Sequence, residues 1–221
     1  MGVNRPPGPM PTGIIAMTAL PRPAAGQRGP ADHERRAQIV EAADQHFRHY
    51  GFQKTTVADL AKAIGLSTAY IYKFFSSKQA IGEAICARCL SEITTRLRAI
   101  MAEPTSAADR LRRFYPALAQ AGADLFFQER RLHDIVVTAV TENWHAGTTY
   151  EAELRDMVRT LVITGREAGE FERETPLDEV CLAIEETLWP FAHPLMLEEK
   201  LDTVDAATAA VAGLVLRSLR P

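Results

Sequence analysis

Within six consecutive residues the chain carries Thr68, Ala69, Tyr70, Tyr72 and Lys73, gathering hydroxyl, phenol, methyl and ammonium groups on one short segment. These residue types suit the groove of a DNA duplex, where hydroxyls and amines bond to base edges or phosphates and a methyl meets thymine. The other reactive residues do not assemble into a second chemistry. Cys86 and Cys89 form a C-x-x-C, but it lies well inside a helix expected to start near Ser77. A redox pair sits instead at a helix N-terminus, where the dipole lowers a thiol pKa, so both cysteines are read as buried small residues on one helix face. His46 and His49 are three residues apart and suit a solvated face as well as a metal, with only Cys181 and scattered histidines as further ligands. Glu185-Glu186 and Glu198-Glu199 are adjacent pairs, which a helix splays by about 100° rather than aiming at one substrate. No catalytic residue, cofactor or metal ion is expected, and the chain is not read as an enzyme.

The groove-facing segment needs elements to hold it. Val57, Leu60, Ala61 and Ile64 recur at i, i+3, i+4 and i+7 and predict a helix with one apolar stripe, from which Asp59 and Lys62 point away. Gly65 ends that helix, Leu66 supplies an apolar plug, and Ser67 caps the next one. On the second helix Ile71 and Phe75 lie four apart and are expected to be buried, which turns residues 68–70, 72 and 73 to its other faces. Upstream, Ile39, Ala43, Phe47 and Tyr50 mark a longer helix from about Asp32, closed by Gly51 and able to cover the pair. The result is a three-helix unit with a helix-turn-helix over about residues 55–74.

Phe47, Gly51, Thr55-Thr56, Leu60-Ala61, Gly65-Leu66-Ser67, Ile71-Tyr72 and Phe75-Ser76-Ser77-Lys78 together resemble the DNA-binding domain of the TetR family of bacterial transcriptional regulators. The resemblance covers roughly residues 32–92, and the remainder agrees in length and helical character. It implies a homodimeric repressor that binds double-stranded operator DNA and, as in most members, leaves it when a small-molecule effector occupies the C-terminal domain. It also implies phosphate contacts from Thr56 and Lys78 at two helix starts. Ser67, Thr68, Ala69, Tyr70, Tyr72 and Lys73 fall on the reading helix, with Thr68 and Lys73 on base edges or phosphate and Ala69 against a thymine methyl. Ala69 stands where the family often has glycine and Tyr70 where a small hydroxyl residue is usual, so the phenol is expected to reach one phosphate farther.

Composition agrees with a globular protein: of 221 residues 47% are hydrophobic and 24% charged. Charge is unevenly spread, with a net +4 over residues 1–85 and −7 over residues 86–221, so the basic end coincides with the reading helix. Residues 1–31 hold seven prolines, five glycines, three arginines and no acidic residue, and are read as a disordered arm. Arg5, Arg22 and Arg28 could take this arm to a minor groove or a phosphate; the alternative is a disordered leader, or an upstream start codon ahead of Met10 or Met17. The run Ile14–Leu20 is too short to span a bilayer and lacks the flanks of a secretory signal, so a cytoplasmic protein with no membrane partner is expected.

Residues 93–221 are read as a helical effector-binding and dimerisation domain, giving an all-α fold. Helices are expected near 77–101, 106–127, 130–143, 148–169, 176–197 and 203–219, with Pro116 bending the second and leaving a gap. Trp189, Phe191, His193 and Met196, with Tyr115, Phe126, Phe127 and Trp144, are the expected lining of a pocket for a hydrophobic or aromatic effector, plain core packing being the alternative. Ile184 and Leu188 with Val204, Ala207, Val211, Leu214 and Val215 form two stripes that suit a four-helix dimer seam or the chain's own core. The 77–101 helix joins both domains and is expected to pivot when the pocket fills.

Overall fold

A computed structural model describes residues 30–127 and 132–221, the side chains of residues 30, 126, 127 and 132–134 excepted. The arm's three arginines therefore lie outside the described residues. The elements are α1 (Pro30–Tyr50), α2 (Val57–Ala63), α3 (Thr68–Ile71), α4 (Lys78–Met101), α5 (Ala107–Phe127), α6 (Leu132–Thr141), α7 (His145–Glu167), α8 (Leu177–Ala192), α9 (Pro194–Glu198) and, after a 3-10 turn at Leu201–Thr203, α10 (Val204–Ser218). Among the described residues every element is helical, and no helix is long and apolar enough to cross a membrane.

Two cores form, and α4 belongs to both. Ile39, Ala43 and Phe47 of α1, Leu60 of α2 and Ile71 and Phe75 around α3 meet Ile81 and Ile85 of α4 in the first. The second gathers α5, α7, α8 and α10 around Ile93 and Leu97 of α4. Ile81, Ile85, Cys89, Ile93 and Leu97 are spaced by four, so one stripe of a single helix runs through both clusters. Polar groups clasp α1 to the same helix: the Arg88 guanidinium pairs with Glu41 at 2.6 Å and with the buried Asp44, which also holds Arg48 at 2.9 Å. Tyr50, expected inside, is 57% exposed and stacks on His46 and His49; Phe52 takes the core position instead.

The helix breaks move at two places for identifiable reasons. Gly147 does not interrupt a helix; the chain turns earlier, at Asn143, whose φ of 51° is the left-handed cap conformation that asparagine tolerates. There Asn143 N–H bonds to the Val140 carbonyl at 3.2 Å and Trp144 N–H to the Ala139 carbonyl at 2.9 Å, closing α6 in a Schellman turn. The helix expected over 176–197 is split at His193, because Pro194 drives the residue before it into an extended conformation, here φ −87° and ψ 122°.

Candidate nucleic-acid interface and adjoining cavity

α2 opens with a capping box in which Thr56 Oγ1 accepts a bond from Asp59 N–H at 3.1 Å and the Asp59 carboxylate accepts one from Thr56 N–H at 3.0 Å. The Thr56 hydroxyl also donates to that carboxylate at 2.6 Å, and these bonds hold the Asp59 carboxyl below its usual pKa. Gly65, with φ 67°, supplies the left-handed residue that ends α2, and Leu66 N–H closes the turn on the Ala61 carbonyl at 2.9 Å. Ser67 Oγ then accepts from Tyr70 N–H at 3.1 Å and starts α3.

Three anchors fix α3. Ile71 and Phe75 are fully buried. Arg36 of α1 donates to the Phe74 carbonyl at 2.7 Å and lies 4.0 Å from the Phe75 ring centre. Beyond Ile71 the backbone tightens, with Lys73 N–H and Phe74 N–H each bonding three residues back, so the helix is shorter than the sequence implied. Ala69, Tyr72 and Lys73 are left exposed and Thr68 half-buried. Tyr70 lies half-buried with its ring edge-on to Phe74 at 5.4 Å between centres, and the Lys73 ammonium sits 5.5 Å from it. Lys78 turns inward: its Nζ donates to the Phe52 carbonyl at 3.0 Å and rests 4.5 Å from the Phe52 ring centre.

A cavity of about 180 Å³ lies where the two cores meet, walled by α4, the end of α5, α6, the start of α7 and the α8–α9 break. Ile85, Cys86, Cys89 and Leu90 form its α4 wall. Burial pushes the thiols of Cys86 and Cys89 up to about 12 and about 11, so both stay protonated at neutral pH. Trp144, placed by the Asn143 turn, lines the cavity and also belongs to the head's core, its ring 5.5 Å from that of Phe52. It packs so closely on α4 that a Cβ at Gly82 would stand 2.7 Å from the indole. Gln53 of the head donates to the Thr138 hydroxyl of α6 at 3.0 Å beside this contact.

Comparison with known proteins decides the assignment. Residues 39–85 match the family described as bacterial regulatory proteins, tetR family, and residues 107–212 match the tetracyclin repressor-like C-terminal domain. The chain belongs to the TetR family. It is 25% identical over 162 residues to the HTH-type transcriptional repressor KstR2 of Mycolicibacterium smegmatis, which covers 70% of this chain and 76% of that one. Over 52 residues it is 40% identical to the HTH-type transcriptional regulator TtgR of Pseudomonas putida, covering 24% and 25% of the two chains. A TetR-family regulator from Pectobacterium atrosepticum shares the fold with a TM-score of 0.66 at 19% identity, over 87% of this chain and 98% of that one. A TetR-family chain is a DNA-binding transcriptional regulator, not an enzyme.

Several site residues expected in this TetR-family chain are redistributed. Trp144, Trp189 and His193 do line the cavity; Trp189 and His193 are four apart and stack at 5.2 Å. Phe191 lies two residues from each, so a helix turns it to the opposite face, where it packs on Tyr115 in the second core. Tyr115 is buried there too, sharing a 2.6 Å bond with the Thr187 hydroxyl. Met196 sits on α9, 36% exposed and away from the lining, while the side chains of Phe126 and Phe127 lie outside the described residues. The cavity meets α5 at Leu125, beyond the proline expected to open it. Sequence reasoning passed over Asn143, Gly147, Thr148, Tyr150 and Glu151, all of which line it. Of the proposed seam, Ile184, Leu188 and Val215 are buried in the chain's own core, and Val204, Ala207 and Val211 pack against it; Leu214 is 59% exposed. The stripe faces inward because α5 and α8 already cover α10.

Proposed function

We propose that this TetR-family regulator is a homodimeric, cytoplasmic repressor, released from its operator when a small hydrophobic or aromatic effector enters the cavity beside α4. The observation that carries the reading is Trp144, one side chain shared by the cavity wall and the core of the DNA-binding head. A ligand that displaces the indole pushes on Gly82 and Phe52, and α4 transmits the shift because its apolar stripe is common to both cores. Ala69, Tyr72 and Lys73 make the groove contacts, with Thr68 at their edge. Thr56, Ser67 and Lys78 serve chiefly as caps and braces, and a phosphate at those helix starts meets backbone N–H groups. Tyr70 supports Lys73 from behind rather than reaching along the backbone. Repression is supported by the similarity to a transcriptional repressor.

The partner copy packs on the outward faces of α8 and α10, where Leu182, Ala183, Ala209, Ala210 and Leu214 leave apolar surface exposed. Two heads then enter successive major grooves about 34–36 Å apart, and an effector that favours another spacing frees the DNA. A reporter gene downstream of the chain's own binding site tests this: expression falls when the protein is present and recovers with effector. Unchanged or increased expression contradicts repression, and a sedimentation mass equal to the 24.4 kDa chain rather than twice that contradicts the dimer.

A further inference from the structure

The cavity beside Trp144 is not uniformly apolar. Two buried polar atoms of its lining residues have no hydrogen-bond partner among the described residues: the Tyr150 hydroxyl and His193 Nδ1. Tyr150 is only 7% exposed, so its hydroxyl has left water without gaining a protein partner, a cost a protein keeps only where something else satisfies the group. Most of the other lining, Ile85, Leu90 and Val136 among it, is apolar, with Asn143, Thr148 and Glu151 as polar exceptions, and Trp144 and Trp189 offer ring faces and edges. Size narrows the occupant further, since a cavity of about 150 Å³ accepts benzene and this one measures about 180 Å³.

Resting on the effector-released reading above, we infer that the effector is a neutral one-ring aromatic bearing a hydroxyl, whose ring lies among the apolar walls and whose hydroxyl bonds to Tyr150 and His193. A phenolic hydroxyl both donates and accepts, which matches a tyrosine hydroxyl and an imidazole nitrogen in either tautomer. The Glu151 carboxylate at the same cavity opposes an anionic ring such as benzoate. A cavity of this volume favours one ring over two fused rings.

Calorimetric titration of the full-length protein with phenol, toluene, benzoate and 2-naphthol tests the class. Phenol binds about tenfold or more tighter than toluene, which lacks the hydroxyl, and than benzoate, which the Glu151 carboxylate opposes, while 2-naphthol, the bulkier ring, binds more weakly than phenol. Tyr150→Phe raises the melting temperature of the free protein, since an unsatisfied hydroxyl is removed, and drops phenol to the affinity of toluene. His193→Phe keeps the stack on Trp189 and weakens phenol in the same way. Equal affinities for phenol and toluene, or a Tyr150→Phe protein that melts lower and binds phenol unchanged, overturn the inference and leave ordered water as the partner of both atoms. Operator release is read separately. Phenol that binds as described but leaves the operator complex intact contradicts release alone, whereas release by a larger or aliphatic compound contradicts the one-ring class alone.

Discussion

Lys73 is an exposed cation just beyond α3, its ammonium 5.5 Å from the Tyr70 ring, which itself packs edge-on to Phe74. If it meets phosphate, Lys73→Ala weakens binding to all duplexes by about 1 kcal/mol and lowers the salt slope of binding by about one. Titrations at several salt concentrations read both quantities, and an unchanged slope contradicts a phosphate contact. Thr56 shows what residue types leave out: the sequence displays a hydroxyl at a helix start, and the structure adds that this hydroxyl donates to Asp59. Gly82 carries the same lesson. Nothing in its neighbours announces that an indole from 62 residues away will rest on it. Gly82→Ala forces Trp144 or α4 to move and costs about 1–3 kcal/mol despite the better helix propensity of alanine. Denaturant unfolding checks the cost, and a neutral or stabilising result contradicts the close packing.

At the scale of elements, periodicity made the helices and the helix-turn-helix legible, because each apolar stripe repeats at helical spacing and α2, α3 and α4 open on the cap residues Thr56, Ser67 and Ser77. The breaks were less legible. Asn143 caps α6 through a left-handed backbone, a role the sequence announces only weakly when the residue is not glycine. Asn143→Val places a β-branched residue in that conformation and destabilises by about 1–2 kcal/mol, whereas Asn143→Gly is tolerated. Thermal unfolding of both variants distinguishes a backbone role from a side-chain one, which would make the two losses equal. The α8–α9 break was written in His193-Pro194, yet its consequence, Trp189 and His193 on one wall with Phe191 on the other, needed the tertiary packing. The α8 and α10 stripes pack largely in the chain's own core, the alternative the sequence left open, because periodicity finds the buried face of a helix but not whether its own chain or a partner buries it. Asp44, 4% exposed, ties α1 to α4 through Arg88 and pairs with Arg48 within α1, and Asp44→Ala removes both pairs at a cost of about 1–3 kcal/mol, measurable by urea unfolding.

Across the whole molecule, charge runs from a net +4 over residues 1–85, three of it from the arm's arginines, to −7 over residues 86–221, so operator binding weakens with salt. In the proposed two-fold dimer on α8 and α10 one small reading face becomes two, each joined by α4 to a cavity that Trp144 lines. Everything in this arrangement serves the face formed by Thr68, Ala69, Tyr72 and Lys73. Selection of bound DNA from random duplexes, run with the full-length protein and with Lys73→Ala and Tyr72→Ala, tests that face most directly. The account predicts an inverted repeat with half-sites about 10–10.5 base pairs apart for the parent protein, and a weakened or altered preference for the variants. No enriched sequence, or the same sequence enriched equally by all three proteins, contradicts it.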